Sequence, residues 1–198
     1  MSIKSIKTGF TGISALAGND QWFGDFEAIA TATVTGSNTS SVVFSSIPGT
    51  FKHLQLRCLY KCDRASSSVG AAYLTIRANS DTGSNYSFHR LYGEGTGAFA
   101  DGATPNATYL NGGNMIGNTS TTNVFHAAVI DILEYSNTNI YKTMRALNGV
   151  DNNGSGNIAL FSSSWRNANA ITSLTLGADA GTYNLLVGST FALYGIRG

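Results

Sequence analysis

One tetrapeptide in the sequence matches a catalytic motif of known enzymes. It is Asp81-Thr82-Gly83-Ser84. Aspartic proteases present a carboxylate on such a turn, where it shares a proton with a second carboxylate. In those enzymes an apolar strand leads into the aspartate, and a second copy comes from another lobe or subunit. Here Ala78-Asn79-Ser80 precedes the aspartate, and the tetrapeptide occurs once. The sequence therefore predicts an ordinary turn and no protease.

Histidine and cysteine side chains are the next groups that could do chemistry. His53, His89 and His126 lie on different strand-like segments, so each is predicted to be a partly exposed or hydrogen-bonded residue; the alternative is a three-histidine metal site assembled by the fold. Cys58 and Cys62 share one predicted strand, where four residues separate their Cα atoms by about 13 Å. A disulfide needs less than about 7 Å, so two free thiols are predicted. We expect no catalytic residue, no metal and no cofactor.

The composition is polar but weakly ionic. Charged residues make up 12% of the 198 residues, and the net charge is +1, whereas an ordinary domain has about 25% charged residues. No basic patch is available to attract phosphates, so nucleic-acid binding is not expected. No run of about 18 apolar residues is present to span a bilayer, so no membrane is expected as a partner. Weak charge repulsion favours assembly into oligomers.

The most apolar part of the chain contains two strand-like runs, residues 124–135 and 140–147, separated by polar residues. This pattern predicts a β-hairpin with its loop at residues 137–139. The expected register places Asp131 opposite Arg145 and Glu134 opposite Lys142. Opposite charges that face each other across strands add about 0.2–1 kcal/mol per pair, which favours this register.

The two faces of the predicted hairpin differ in character. One face is apolar and is expected to line a core; it carries Ile130, Ile132, Met144 and Ala146. The other face mixes aliphatic and charged side chains, which suits a subunit interface better than solvent or a dry core. The candidate interface residues on this second face are Val129, Asp131, Leu133, Arg145 and Leu147.

Strand signals recur along the chain at intervals of about 10 to 15 residues, separated by Gly, Asn, Asp and Ser. Besides the hairpin, the predicted strands are residues 27–34, 41–46, 52–61, 71–78, 86–93, 107–116, 157–165, 170–176 and 183–196. No segment offers a helix long enough for a crossover connection. The sequence therefore predicts an all-β protein, an antiparallel β-sandwich with jelly-roll topology.

The predicted sandwich is a single domain over residues 26–198, preceded by an N-terminal arm at residues 1–25. Apolar side chains in the arm follow no regular period. One interpretation is a frayed terminus; the other is an arm that packs on a neighbouring molecule. In the second case the docking residues are Ile3, Ile6, Phe10 and Ile13.

Aromatic residues on the predicted strands offer a further possible activity, because aromatic rings can stack on the C–H faces of sugars. The candidate rings are Tyr86, Phe88, Tyr92, Tyr109 and Trp165. In a β-sandwich most aromatic side chains belong to the core, which is the competing interpretation for each of them.

Three segments resemble a known group of proteins. They are residues 46–54 (SIPGTFKHL), residues 81–89 (DTGSNYSFH) and residues 188–196 (GSTFALYGI). In these segments, and over residues 27–196 as a whole, the chain resembles small virion proteins of tailed bacteriophages, especially phages of aquatic bacteria. Proteins of this kind are described as capsid decoration, tail-fibre or general structural proteins. No catalytic or ligand residue is carried over from them.

The resemblance implies a location in the virion, assembled in the host cytoplasm. We expect a non-enzymatic structural protein on the particle exterior, with capsid cement or decoration favoured over fibre because the chain has no repetitive shaft. The implied partners are other copies in a homo-oligomer, expected to be a trimer, and the major capsid protein or another virion protein. The alternatives are a tail-fibre or receptor-binding module that recognises a host surface glycan, and an enzyme on surface polysaccharide.

Overall fold

The computed structural model describes residues 25–198, apart from the side chains of residues 103–105. The candidate docking residues Ile3, Ile6, Phe10 and Ile13 lie outside the described residues. The described part contains twelve strands and a short 3-10 turn at Asp179–Gly181. The strands are β1 (Phe26–Thr33), β2 (Ser41–Phe44), β3 (His53–Tyr60), β4 (Ala72–Ala78), β5 (Tyr86–Glu94), β6 (Gly97–Ala107), β7 (Leu110–Met115), β8 (His126–Leu133), β9 (Lys142–Asp151), β10 (Gly156–Trp165), β11 (Leu174–Ala178) and β12 (Thr190–Ile196).

The strands form two antiparallel sheets that pack against each other. The larger sheet has eight strands in the order β1-β12-β3-β8-β9-β10-β5-β6, and the smaller has four in the order β2-β11-β4-β7. The prediction of an all-β antiparallel sandwich is confirmed. Two sequential hairpins, β5–β6 and β9–β10, lie at one end of the larger sheet. Without them the two sheets read β1-β12-β3-β8 and β2-β11-β4-β7.

The core lies between the sheets, where alternating residues of each strand point inward. Leu54, Leu56 and Tyr60 of β3 are completely buried, as expected for a half-buried strand. The predicted core face of the hairpin is also confirmed, because Ile130, Ile132, Met144 and Ala146 are all buried. The two cysteines, Cys58 and Cys62, are buried free thiols as predicted, and burial raises the pKa of both.

Strand β6 is not among the strands predicted from the sequence. Its residues are mostly Gly, Ala, Asp and Asn, which have weak intrinsic β-propensity, and Pro105 interrupts the run. The strand forms because it pairs antiparallel with β5, from Glu94 opposite Gly97 to Tyr86 opposite Ala107. It is an edge strand, the position at which a sheet tolerates proline.

The β8–β9 hairpin has the predicted register but a longer loop. Asp131 lies opposite Arg145, yet the strands end at Leu133 and Lys142, so the loop is residues 134–141 and not 137–139. The predicted Glu134–Lys142 pair is wrong. Glu134 has a left-handed φ of 50°, which ends the strand alternation, and its carboxylate lies 3.7 Å from Lys52 Nζ.

Lys142 lies instead on the inward-facing side of β9 and is completely buried. Its ammonium group donates hydrogen bonds to the carbonyl oxygens of Asn137, Ile140 (2.8 Å) and Ala168 (3.1 Å). Burial lowers the pKa of Lys142. This side chain therefore ties the 134–141 loop to the segment that follows β10, and a buried charge is tolerated because backbone carbonyls satisfy it.

Candidate interaction surfaces

The candidate interface residues of the hairpin do share one face, the outer face of the eight-stranded sheet. On this face Val129 lies opposite Leu147 and Asp131 lies opposite Arg145. Val129, Leu147 and Arg145 are exposed, whereas Asp131 and Leu133 are partly buried. The sequence thus placed these five residues on one face, and the structure leaves Val129 and Leu147 open to solvent.

The apolar surface extends well beyond the hairpin. Leu147 lies opposite Leu160 of β10, and Leu160 lies opposite Leu91 of β5. A parallel row, two residues along each strand, runs from Leu59 of β3 to Ile158 of β10 by way of Ala127 and Gly149. We call these two rows the aliphatic band. Its large side chains are between 42% and 61% exposed: Leu59, Leu91, Val129, Leu147, Ile158 and Leu160.

Leu59, Leu91, Ile158 and Leu160 were not identified as surface residues from the sequence. The available signal was the alternation within each strand, since Ile158 and Leu160 have the opposite parity to the buried Ala159 and Phe161. Whether the odd-numbered or the even-numbered residues of a strand face the core depends on where the other sheet packs, and the sequence of one strand does not contain that information.

A polar row borders the aliphatic band. It runs across the sheet through Gln55, Asp131, Arg145, Ser162 and His89, which lie opposite one another in turn. Gln55 Nε2 donates to Asp131 Oδ1 at 2.9 Å, and so the side chain of Asp131 is held toward β3. The outer face therefore has an apolar centre and, along one side, a polar edge that contains one hydrogen-bonded pair, an arrangement typical of protein–protein interfaces.

A second surface lies on the opposite side of the β5–β6 hairpin, near the edge of the smaller sheet. Tyr92 and Phe99 face each other across the strands with ring centroids 5.1 Å apart. Arg90 and Asp101 form a two-pronged ion pair, with Nε–Oδ1 and Nη2–Oδ2 distances of 2.7 Å. The Arg90 guanidinium lies 4.5 Å from the centroid of Tyr92. We call these four residues the aromatic–arginine cluster.

The other candidate sugar-stacking rings are divided between core and surface. Tyr86, Phe88 and Trp165 are buried, so the interpretation of these three as exposed platforms is wrong. They belong to the alternate residues of β5 and β10 that point into the core, where burial of aromatic surface contributes to stability. Tyr92 and Tyr109 are partly buried, and Tyr92 belongs to the aromatic–arginine cluster.

The Asp81 turn has a structural role. Its carboxylate accepts hydrogen bonds from the Gly83 amide (2.8 Å), from Asn85 Nδ2 (3.0 Å) and from the buried indole of Trp165 (2.8 Å). These hydrogen bonds hold the pKa of Asp81 below its ordinary value, and the bond from Trp165 makes the largest contribution. A proton-sharing catalytic pair would instead raise the pKa of one carboxylate, so the chemistry of this turn is that of a strand connection.

We expect the Asp81 bonds to make stability depend on pH. Because the folded-state pKa is depressed, this stabilisation is complete above the unfolded pKa of about 4 and is lost as the pH falls through the folded value. Asp81→Asn should lower the free energy of unfolding by about 1–2 kcal/mol at pH 7. The stability of this variant should also fall less steeply between pH 7 and pH 2. Urea unfolding from pH 7 to pH 2 measures both. An equal acid dependence in the wild-type protein and the variant would contradict the assignment.

The three histidines occupy separate environments. His126 is completely buried and hydrogen-bonds Asn157 Oδ1 at 3.2 Å; burial lowers its pKa to about 4. His53 Nδ1 accepts a hydrogen bond from the Glu134 amide at 3.0 Å, and His89 is exposed on the outer face. Within residues 25–198, no three His, Cys, Asp or Glu side chains are grouped so that they could hold a metal ion.

Comparisons with known proteins found no matching family model, no matching curated protein and no matching solved structure. In the part of the chain that the structure describes, no helix has the length and apolar character needed to cross a membrane. A functional proposal for this chain therefore depends on its own residues and geometry.

Proposed function

We propose that the protein is a non-enzymatic structural component of the exterior of a phage particle, acting as a capsid cement or decoration protein and working as a homo-oligomer, expected to be a trimer. The observation that carries this proposal is the aliphatic band on the outer face of the larger sheet. Six large aliphatic side chains there are 42% to 61% exposed. Contiguous apolar surface of this kind is typical of a protein–protein contact.

The dimensions of the outer face fit a stable subunit contact. Eight strands spaced by about 4.8 Å give a width of about 38 Å, and six or seven residues at about 3.3 Å give a height of about 20 Å. The product is about 800 Å² for the whole outer face, which is the area that each partner contributes to an interface of standard size. The aliphatic band and the polar row cover five of its eight strands. The polar row beside the aliphatic band supplies hydrogen-bonding groups for the rim.

The strand order supports the resemblance to virion proteins. We infer that the eight strands left after removal of the β5–β6 and β9–β10 hairpins form a jelly roll. Their first and last strands pair, and every connection between successive strands crosses from one sheet to the other except that from β4 to β7. Jelly rolls occur in viral capsid and lectin domains. Fold alone does not assign the function, and the jelly roll therefore supports the proposal without carrying it.

The three segments that resemble virion proteins also contact one another or the core. The ring of Phe51, in residues 46–54, lies over Gly195, in residues 188–196, where an added Cβ would overlap the Phe51 ring. The Lys52 amide donates to the Ile196 carbonyl at 2.8 Å. The third segment contains the Asp81 turn. The resemblance therefore concerns residues that build the sandwich.

A second role is favoured by the aromatic–arginine cluster, namely recognition of a host surface glycan at a tail fibre or receptor-binding tip. Its exposed ring and adjacent ion pair are typical of a polar ligand site and have no evident need in subunit packing. This cluster faces away from the aliphatic band, because adjacent residues of β5 alternate between the two faces. The two roles are compatible in one protein.

Attachment to particles tests the proposed function. Full-length protein and a variant without residues 1–13 are each gold-labelled, added to particles that lack the protein, and imaged by electron microscopy. We expect the full-length protein on the capsid exterior, where it contacts the major capsid protein or another virion protein, and we expect no attachment of the truncated variant. Burial of each Phe or Ile anchor is worth about 1.5–3 kcal/mol, so the loss should be complete.

The melting temperature of the truncated variant serves as the control, and we expect it to be unchanged. Label confined to fibre tips would favour the glycan-recognition role over capsid decoration. Normal attachment of the truncated variant would transfer docking to the described surfaces, and absence of the full-length protein from every part of the particle would contradict a virion role.

A further inference from the structure

The ring of Phe99 is held in place although much of its surface is open. Phe99 is 49% exposed, and one side of its ring stacks against Tyr92 at an interplanar angle of 26°. The ring also lies against Gly97, where an added Cβ would be 2.5 Å from Phe99 Cζ. Tyr92 in turn packs partly against the core. An exposed aromatic ring with a defined orientation loses little entropy when a ligand binds.

Polar groups with defined geometry lie beside the Tyr92–Phe99 pair. Arg90 is fixed by Asp101, and its Nη1 donates to Asn114 Oδ1 of β7 at 3.3 Å. The guanidinium also lies 5.5 Å from the ring centroid of Tyr73. The side chain of Asp101 is 48% exposed, and each oxygen that Arg90 contacts retains a lone-pair direction. An ionised carboxylate only accepts hydrogen bonds, so its free positions favour hydroxyl donors.

We propose that the aromatic–arginine cluster is a binding site for a neutral saccharide, with the C–H face of one sugar ring on Phe99 and hydroxyl groups donating to Asp101. A neutral ligand is specified because the Arg90 and Asp101 charges already offset each other. This inference deepens the glycan-recognition role and rests on that role alone. Its failure would leave capsid decoration and the oligomer contact on the opposite face unaffected.

An array of neutral and acidic oligosaccharides, probed with the labelled full chain, tests the site. A neutral sugar retained on the array is then titrated calorimetrically into the wild-type protein and into Phe99→Ala, Asp101→Asn and Tyr141→Ala. Tyr141 is a matched control because it is an aromatic residue that is 59% exposed in the 134–141 loop, away from the cluster. Circular dichroism verifies that each variant is folded.

We expect Phe99→Ala and Asp101→Asn each to weaken binding by about tenfold, since each removes one contact of about 1.4 kcal/mol, and Tyr141→Ala to leave affinity within about twofold. Retention of no neutral sugar on the array would overturn the proposal. Equal affinity of wild-type protein and Phe99→Ala would overturn it as well, because binding would then occur elsewhere on the surface.

Discussion

Replacement of Leu160 by Asp is expected to turn the proposed homo-oligomer into monomers. Leu160 occupies the middle of the aliphatic band, between Leu147 and Leu91 on the neighbouring strands. A carboxylate there would be buried without a partner in the assembled state. That costs about 3 kcal/mol or more, which weakens association by about 100-fold at 1.4 kcal/mol per factor of ten.

Multi-angle light scattering during size-exclusion chromatography measures the effect at micromolar concentration. The wild-type protein should elute at three times the mass of the chain, and Leu160→Asp should elute at the mass of one chain. Val43→Asp is the matched control, because Val43 is 56% exposed on β2 of the smaller sheet. A wild-type protein that is monomeric under these conditions would remove the proposed interface. Loss of the oligomer in the control would show that the effect is unspecific.

Replacement of Lys142 by Met is expected to destabilise the fold by about 3 kcal/mol. The variant keeps an unbranched apolar side chain of similar length but removes the ammonium that three backbone carbonyls share. An unsatisfied buried polar group costs about 1–3 kcal/mol, and hydrogen bonds to charged groups are the stronger ones. In a domain of this size, the melting temperature should fall by about 6–12 °C.

Lys52→Met is the control for the loss of a positive charge near the same loop. The Lys52 side chain is 52% exposed and lies 3.7 Å from Glu134, and exposed ion pairs contribute about 1 kcal/mol or less. Thermal unfolding followed by circular dichroism compares the two variants. Equal melting temperatures would mean that solvent replaces the Lys142 ammonium at the loop carbonyls, and the structural role of this lysine would be rejected.

The largest disagreement between sequence and structure also concerns Lys142. Its predicted partner, Glu134, was chosen because opposite charges favour one register, and that register is correct at Asp131 and Arg145. Alternation along the two strands, however, places Glu134 on the same side as Ile132 and Lys142 on the same side as Met144, and this is the buried side of the sheet. Because the Lys142 side chain is buried there, its ammonium group hydrogen-bonds backbone carbonyls and does not form a solvated ion pair.

The sequence by itself determined the fold class, most strand positions, the register of the β8–β9 hairpin and the free state of Cys58 and Cys62. These properties follow from local alternation, turn residues and chain geometry, all of which act within a few residues. Only the tertiary structure decided which strands become neighbours. It brought Leu91 and Leu160 beside Leu147, formed β6 from residues with weak β-propensity and buried Trp165, because such contacts join residues far apart in the chain.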